Sequence, residues 1–183
     1  CYHVIPSTYN HIMGIKENGA LAILGGAGPM GLGSIDYAIH SDRKPSVLVV
    51  TDISDDRLKR ANEVLSVEEA AKHGVALHYV NPNNHEDPDA YIKSLNGGNG
   101  YDDVFVYVPV KDLVVQGDKL LGKDGCMNFF AGPIDNQFSA EINMYNIHYA
   151  ATKIIGSTGG NTDDMKESLA MMEAGQLNPS VMI

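Results

Sequence analysis

The chain has 183 residues, enough for one well-buried domain and too few for two of ordinary size. Its 13 Lys and Arg against 23 Asp and Glu leave a formal net charge of −10, and no basic stripe offers itself to a phosphate backbone, which excludes nucleic acid as a partner. No apolar stretch approaches the roughly 20 residues that cross a bilayer, and Cys1 and Cys126 stand too far apart in sequence to suggest a disulfide framework, which fits a cytoplasmic location.

Residues 1–18 have mixed helical spacing interrupted by Pro6, and read as a linker helix leading into a domain over 19–183. From there short apolar runs alternate with helical stretches. The runs 20–24, 46–50, 76–80, 104–108, 126–130 and 153–156 suit strands buried on both faces. The spacing predicts helices over 29–40, 55–73, 89–95, 110–121 and 162–174. Ser54-Asp55-Asp56, and Asn161 or Thr162 before Asp163 and Asp164, supply the caps and acids that helix starts favour, while Gly175 closes the last helix. By composition 81–85 and 96–100 are surface loops. Strand and helix repeated in this way give an α/β, Rossmann-type doubly wound parallel sheet with helices on both faces. The apolar end Val181-Met182-Ile183 reads as a strand that should continue, and the chain begins on Cys1, so both ends read as cuts in ordered structure.

The strongest motif is Gly26-Ala27-Gly28-Pro29-Met30-Gly31, directly after an apolar strand and opening a helix. Gly26 is expected to turn the chain off the strand. Gly28 leaves room for a pyrophosphate at the helix N-terminus, where free N–H groups favour anions. Gly31 allows close helix–strand packing, and Pro29 suits the first helical position. The second strand ends at Asp52, 21 positions after Gly31, where a carboxylate accepts from adenosine ribose hydroxyls and repels a 2′-phosphate. Ile53 follows it. Arg57 lies one turn into the next helix, within reach of ribose or phosphate, with a solvated surface arginine as the alternative. These features predict a site for NAD, with NADP as the second possibility.

The segment from Gly19 to Asp52, the phrases Thr51-Asp52-Ile53-Ser54 and Tyr79-Val80-Asn81-Pro82, then Tyr101 to Val104, Gly125 to Pro133 and Ile155 to Gly160 together resemble the cofactor domain of medium-chain, zinc-dependent alcohol and polyol dehydrogenases. The likeness covers nearly the whole chain. Within that family, Ile35-Asp36-Tyr37-Ala38, Asp42-Arg43-Lys44-Pro45 and Cys1-Tyr2-His3 are most similar to sugar-phosphate reductases of the L-sorbose 1-phosphate type. The resemblance implies hydride transfer between NAD(P)(H) and an alcohol, polyol or sugar phosphate, and a homo-oligomer in the full-length enzyme. It implies that Val108 and Pro109 line the adenine side and that Ala131 and Gly132 lie near the nicotinamide. It also implies catalytic zinc in a separate domain upstream, so Cys1 is not assigned as a ligand. The stretch 65–74 makes the second helix longer than is usual for the family.

No convergent metal-ligand set stands out among the seven histidines, including His73 and His78, and no catalytic residue is assigned. No Gly-x-Ser-x-Gly turn supports a serine nucleophile. Two rivals share the glycine turn. An S-adenosylmethionine-dependent methyltransferase would want glycine where Met30 stands, and a non-catalytic nucleotide-sensing domain would need no second half.

Overall fold

The computed structural model describes residues 3–4 and 13–182. Two short strands, β1 (His3–Val4) and β2 (Met13–Gly14), pair antiparallel. They stand where the sequence suggested a linker helix; residues 1–2 and 5–12 of that segment, and with them Cys1, lie outside the described residues.

The main sheet has six strands: β3 (Ala20–Leu24), β4 (Val47–Thr51), β5 (Ala76–Val80), β6 (Tyr101–Val106), β7 (Leu121–Phe129) and β8 (Lys153–Gly156). Their order is β5-β4-β3-β6-β7-β8, and every pair is parallel. Successive strands leave β3 first on one side and then on the other, which opens a crevice at the carboxyl ends of β3 and β6.

Both faces of the sheet are covered, which is why the strands read as continuous apolar runs rather than alternating ones. Leu21, Ile23, Leu48, Val50 and Leu77 face one way, against α1 (Pro29–His40), α2 (Asp55–Val64) and α3 (Val67–Lys72). Ala20, Ala22, Leu24, Val49, Val104 and Val106 face the other, with Ile92 of α4 (Pro88–Ser94) and Val114 and Leu120 of α5 (Lys111–Leu120). Two more helices follow, α6 (Met144–Tyr149) and α7 (Thr162–Glu173).

Three differences from the sequence reading have local causes. The single helix expected over 55–73 is two, because Asn62 Oδ1 accepts from the Val67 N–H and Ser66 Oγ from the Glu69 N–H, so a new helix is capped where the old one ends. Strand β7 begins at Leu121, well before the apolar stretch, and its register against β6 shifts between Tyr101 and Asp103. Residues Pro179–Met182 form a 3-10 turn where a strand was expected, with Asn178 Oδ1 accepting from the Ser180 N–H and the proline fixing the first residue of the turn.

The Tyr101-Asp102-Asp103 phrase fastens the lead into β3. Asp102 Oδ2 accepts from the Ala20 N–H at 2.9 Å and Asp103 Oδ2 from the Lys16 N–H at 2.7 Å. Asp102 Oδ1 also takes the Lys16 ammonium at 2.7 Å, a contact that holds the lysine pKa above its ordinary value.

Candidate functional site: the glycine turn and the cavity beside it

The chain leaves β3 through Gly25, whose φ of +70° is the left-handed conformation glycine adopts without strain. The sharp turn therefore falls on Gly25, one residue earlier than expected. Gly26 is needed for space: an added Cβ would come within 2.6 Å of Ile23 Cγ2 and 3.0 Å of Val50 Cγ1. Its N–H donates to the Thr51 carbonyl, tying the turn to the end of β4.

Gly28 is the N-cap of α1 and Pro29 its first residue. Proline has no N–H, so the free donors at the head of the helix are the amides of Met30 and Gly31, before the Leu32 N–H closes on the Gly28 carbonyl. No acidic side chain occupies the first turn of α1, in contrast to α2, α3 and α7. The positive end of that helix dipole is uncompensated. A Cβ on Gly28 would meet nothing within 4 Å, whereas a Cβ on Gly31 would overlap the Gly26 carbonyl. Gly31 thus lets the helix rest on the turn, and Gly28 faces open space. Ala27 is buried and Met30 exposed.

Asp52 follows β4 and is only 7% exposed. Its Oδ1 accepts from the Ser54 N–H at 3.0 Å, while Ser54 Oγ caps α2 by accepting from the Arg57 N–H. One carboxylate oxygen of Asp52 therefore holds the loop, and Oδ2 accepts no hydrogen bond among the described residues. Ile53, beside it, is 73% exposed.

A cavity of about 520 Å³ opens at this edge of the sheet. It gathers Asp52, Ile53, Arg57 and Val108 from the sequence-predicted set, and adds Gly25, Thr51, Pro82, Asp89 and one face of α5 with Leu113, Gln116 and Lys119. Pro109 is exposed and does not line it. Val108 stands directly over Gly25, since a Cβ there would overlap the valine methyl Cγ2. Asp89 at the rim is held by Gln116 Nε2 at 2.8 Å and faces Lys119 Nζ at 3.8 Å. Arg43 is turned elsewhere, donating to the Ile15 carbonyl. Of these two arginines, Arg57 alone lines the cavity.

Past β7 the amides of Phe130 and Ala131 both donate to the Val106 carbonyl, at 3.1 and 3.0 Å, so that segment bends across the end of β6. Ala131 is buried, and Gly132 is exposed with open space where a Cβ would stand. Sequence reasoning missed Tyr107, whose hydroxyl lies 2.5 Å from Ser34 Oγ on α1 and whose ring meets Phe130 edge-on. Burial pushes the phenol pKa up, opposed by the Ser34 contact. It also missed a cluster at the far end of the sheet, where His40, Glu69 and His73 converge. The sequence shows no such grouping, because His40 meets His73 across two helices, which linear spacing does not display.

The chain matches the profile of the family described as "Zinc-binding dehydrogenase" over residues 29–174. It is 53% identical over 182 residues to mannitol-1-phosphate 5-dehydrogenase of Aliivibrio fischeri, covering 100% of this chain and 43% of that protein. It is 47% identical over 173 residues to L-sorbose 1-phosphate reductase of Klebsiella pneumoniae, covering 94% of this chain and 41% of that one. Among solved structures, benzyl alcohol dehydrogenase from Acinetobacter calcoaceticus superposes with a TM-score of 0.72 at 19% identity, over 91% of this chain and 42% of that one. The chain thus spans less than half the length of the relatives it matches.

Proposed function

The chain belongs to the zinc-binding dehydrogenase family, and we propose that its role there is to hold NAD(H) for hydride exchange with a sugar or sugar-alcohol 1-phosphate. The single observation that carries this reading is the pairing of an uncompensated helix head, open above Gly28, with the buried Asp52 carboxylate at the next strand end. The dehydrogenase profile supports this reading over the methyltransferase and nucleotide-sensing ones.

The proposed roles follow from the geometry. The Met30 and Gly31 amides would hold the pyrophosphate, with Ala27 and Pro29 shaping the turn. Asp52 Oδ2 would accept from the adenosine ribose hydroxyls, and its charge would disfavour a 2′-phosphate. Ile53, Arg57 and Val108 would enclose the adenosine, with Pro109 at the outer margin. Ala131 and Gly132 would lie beside the nicotinamide, on the segment bent across β6. The nicotinamide, when bound, supplies the hydride chemistry. Tyr107, bonded to Ser34, would keep the head of α1 and the end of β6 in fixed relation, so that both halves of the dinucleotide meet a preformed surface.

Catalytic zinc would be supplied by the portion of the relatives that this chain does not cover, with residues 19–183 forming the cofactor domain. We further propose a cytoplasmic homo-oligomer. Among the described residues no helix is long and apolar enough to cross a membrane. The sheet edge at β8, where Ile154 is exposed, supports self-association, since an open edge offers backbone groups to a second copy.

Turnover tests the reading. The 183-residue chain should bind NADH yet not oxidise mannitol 1-phosphate or reduce sorbose 1-phosphate, and the same chain extended by the region its relatives carry should do one or both. Turnover by the shorter chain alone, or no turnover with either phosphate by the extended one, would overturn the assignment.

A further inference from the structure

The C-terminal turn of α1 and the C-terminal turn of α3 meet at the amino ends of the parallel strands, the opposite end of the sheet from Gly28 and Asp52. Three side chains converge there. His40 and His73 meet ring to ring, edge-on, with centroids 4.6 Å apart. Glu69 stands one turn before His73 and places Oε1 3.3 Å from His73 Nε2. One potential ligand atom from each of His40, Glu69 and His73 lies within 4.8 Å of the other two. Tetrahedral zinc, with bonds of about 2.0–2.1 Å, brings its ligand atoms to about 3.4 Å from one another, so each side chain needs to close in by roughly an ångström. All three are partly exposed, so solvent rather than packed core borders them on one side.

A second observation concerns how His40 is held. Its Nδ1 lies 2.8 Å from Asp36 Oδ1 and 3.0 Å from the Asp36 carbonyl. An ionised carboxylate and a carbonyl only accept, so Nδ1 carries the hydrogen and the neutral ring presents its lone pair at Nε2. The Asp36 side chain is 5% exposed, and its Oδ2 accepts from the Asn178 N–H at 2.9 Å. A buried carboxylate fixing the tautomer and orientation of an imidazole is the supporting arrangement that metal-binding histidines have. Glu69 is engaged on its other oxygen, Oε2, by the exposed Lys72, a surface pair too weak to withhold Oε1.

We propose that His40, Glu69 and His73 bind one divalent transition-metal ion, zinc by preference, which ties α3 to α1. Asp36 is the positioning residue for His40. Two imidazoles and one carboxylate suit zinc, cobalt or nickel and not magnesium or calcium, which want oxygen alone. The solvent-facing side leaves the fourth position to water. Because the cluster lies at the far end of the strands from the glycine turn, the ion would brace the domain and would not touch the dinucleotide.

The test uses the tag-free chain, stripped of metal and titrated with Co(II), with thermal unfolding followed in parallel with and without Zn(II). The wild type should take up one ion per chain with the intense visible absorption of four-coordinate cobalt, and its Tm should rise with zinc. His73→Gln and Glu69→Gln should each lose that absorption and the zinc-dependent rise. Asp36→Asn has one acceptor oxygen where the carboxylate has two, so it cannot serve both His40 and the Asn178 N–H, and it should weaken the metal by about 10- to 100-fold. Unchanged NADH affinity in all three variants separates this site from the cofactor crevice. Cobalt that keeps the weak spectrum of its hexaaqua ion, or variants that bind as tightly as the wild type, would overturn the proposal. Glu69 is a surface residue, so Glu69→Gln still decides between these outcomes if His73→Gln fails to fold.

Discussion

Gly28 and Gly31 stand three residues apart in one motif, yet the structure gives them separable jobs, and substituting each should show it. Gly28→Val places its side chain in open space at a backbone of φ −88° and ψ 176°, extended geometry that valine adopts readily. As an N-cap, valine is worse than glycine by about 1 kcal/mol at most, so the fold should hold. The side chain would stand where an anion must approach the Met30 and Gly31 amides. Losing two hydrogen bonds to a charged group costs about 1.5–3 kcal/mol each, which corresponds to dinucleotide affinity falling by about 10²- to 10⁴-fold. Gly31→Ala behaves differently, because its methyl meets the backbone carbonyl of Gly26 and not a side chain that can rotate away. Overpacking of that kind costs about 3 kcal/mol, and the gain in helix propensity returns about 1. The remaining 2 kcal/mol or so should lower Tm by about 4–8 °C in a domain of this size. Thermal unfolding and calorimetric titration of NADH on both variants provide the two readouts. A Gly28→Val protein that binds undiminished, or a Gly31→Ala protein as stable as the wild type, would refute the division of labour.

His78 is half-buried on β5, and burial holds its pKa below the ordinary 6.5. The unfolded chain then takes the proton more readily than the folded one. Its contribution is neutral above about pH 6.5 and becomes a loss of stability as the pH falls below that value. His78→Gln should therefore flatten the fall of Tm between about pH 7 and 5, and an unchanged slope would contradict the burial argument. Asp102→Ala removes the acceptor for the Ala20 N–H together with the Lys16 ion pair. Denaturant unfolding should show a loss of about 1–3 kcal/mol, and a loss under about half a kilocalorie would mean that the lead into β3 is fastened elsewhere. Tyr107→Phe should leave Tm within a few degrees and weaken NADH binding several-fold, read by titration, since its hydroxyl links β6 to α1; binding equal to the wild type would show that this link is dispensable.

The architecture was largely legible because the sheet is buried on both faces. Strand Ala20–Leu24 carries an unbroken apolar run, and helix starts such as Asn161 and Ser54 carry their caps in sequence. The misses lie where local bonds or long-range packing overrule periodicity. The break at Leu65 rests on Ser66 and Asn62 capping a second helix inside a run of helical spacing. Strand β7 starts among Gly122, Lys123 and Asp124, the last two exposed, with no apolar signature. The glycine motif announced the turn and the helix head, but not that Gly25 takes the left-handed residue, since any of three consecutive small residues could have done so. The cavity wall from α5 and the meeting of His40 with His73 depend on which helices pack side by side. A single sequence shows the Asp36–His40 spacing within one helix and leaves the partner helix unseen.

The central claim is that a dinucleotide sits on the Gly28 turn with its adenosine ribose against Asp52. Calorimetric titration of the chain with NADH and NADPH, repeated on Asp52→Ala, tests it most directly. We expect one site per chain, with NADH the tighter ligand in the wild type and the preference narrowed or reversed once the carboxylate is gone. No saturable binding of either nucleotide, or NADPH binding as tightly as NADH with Asp52 in place, would contradict the claim.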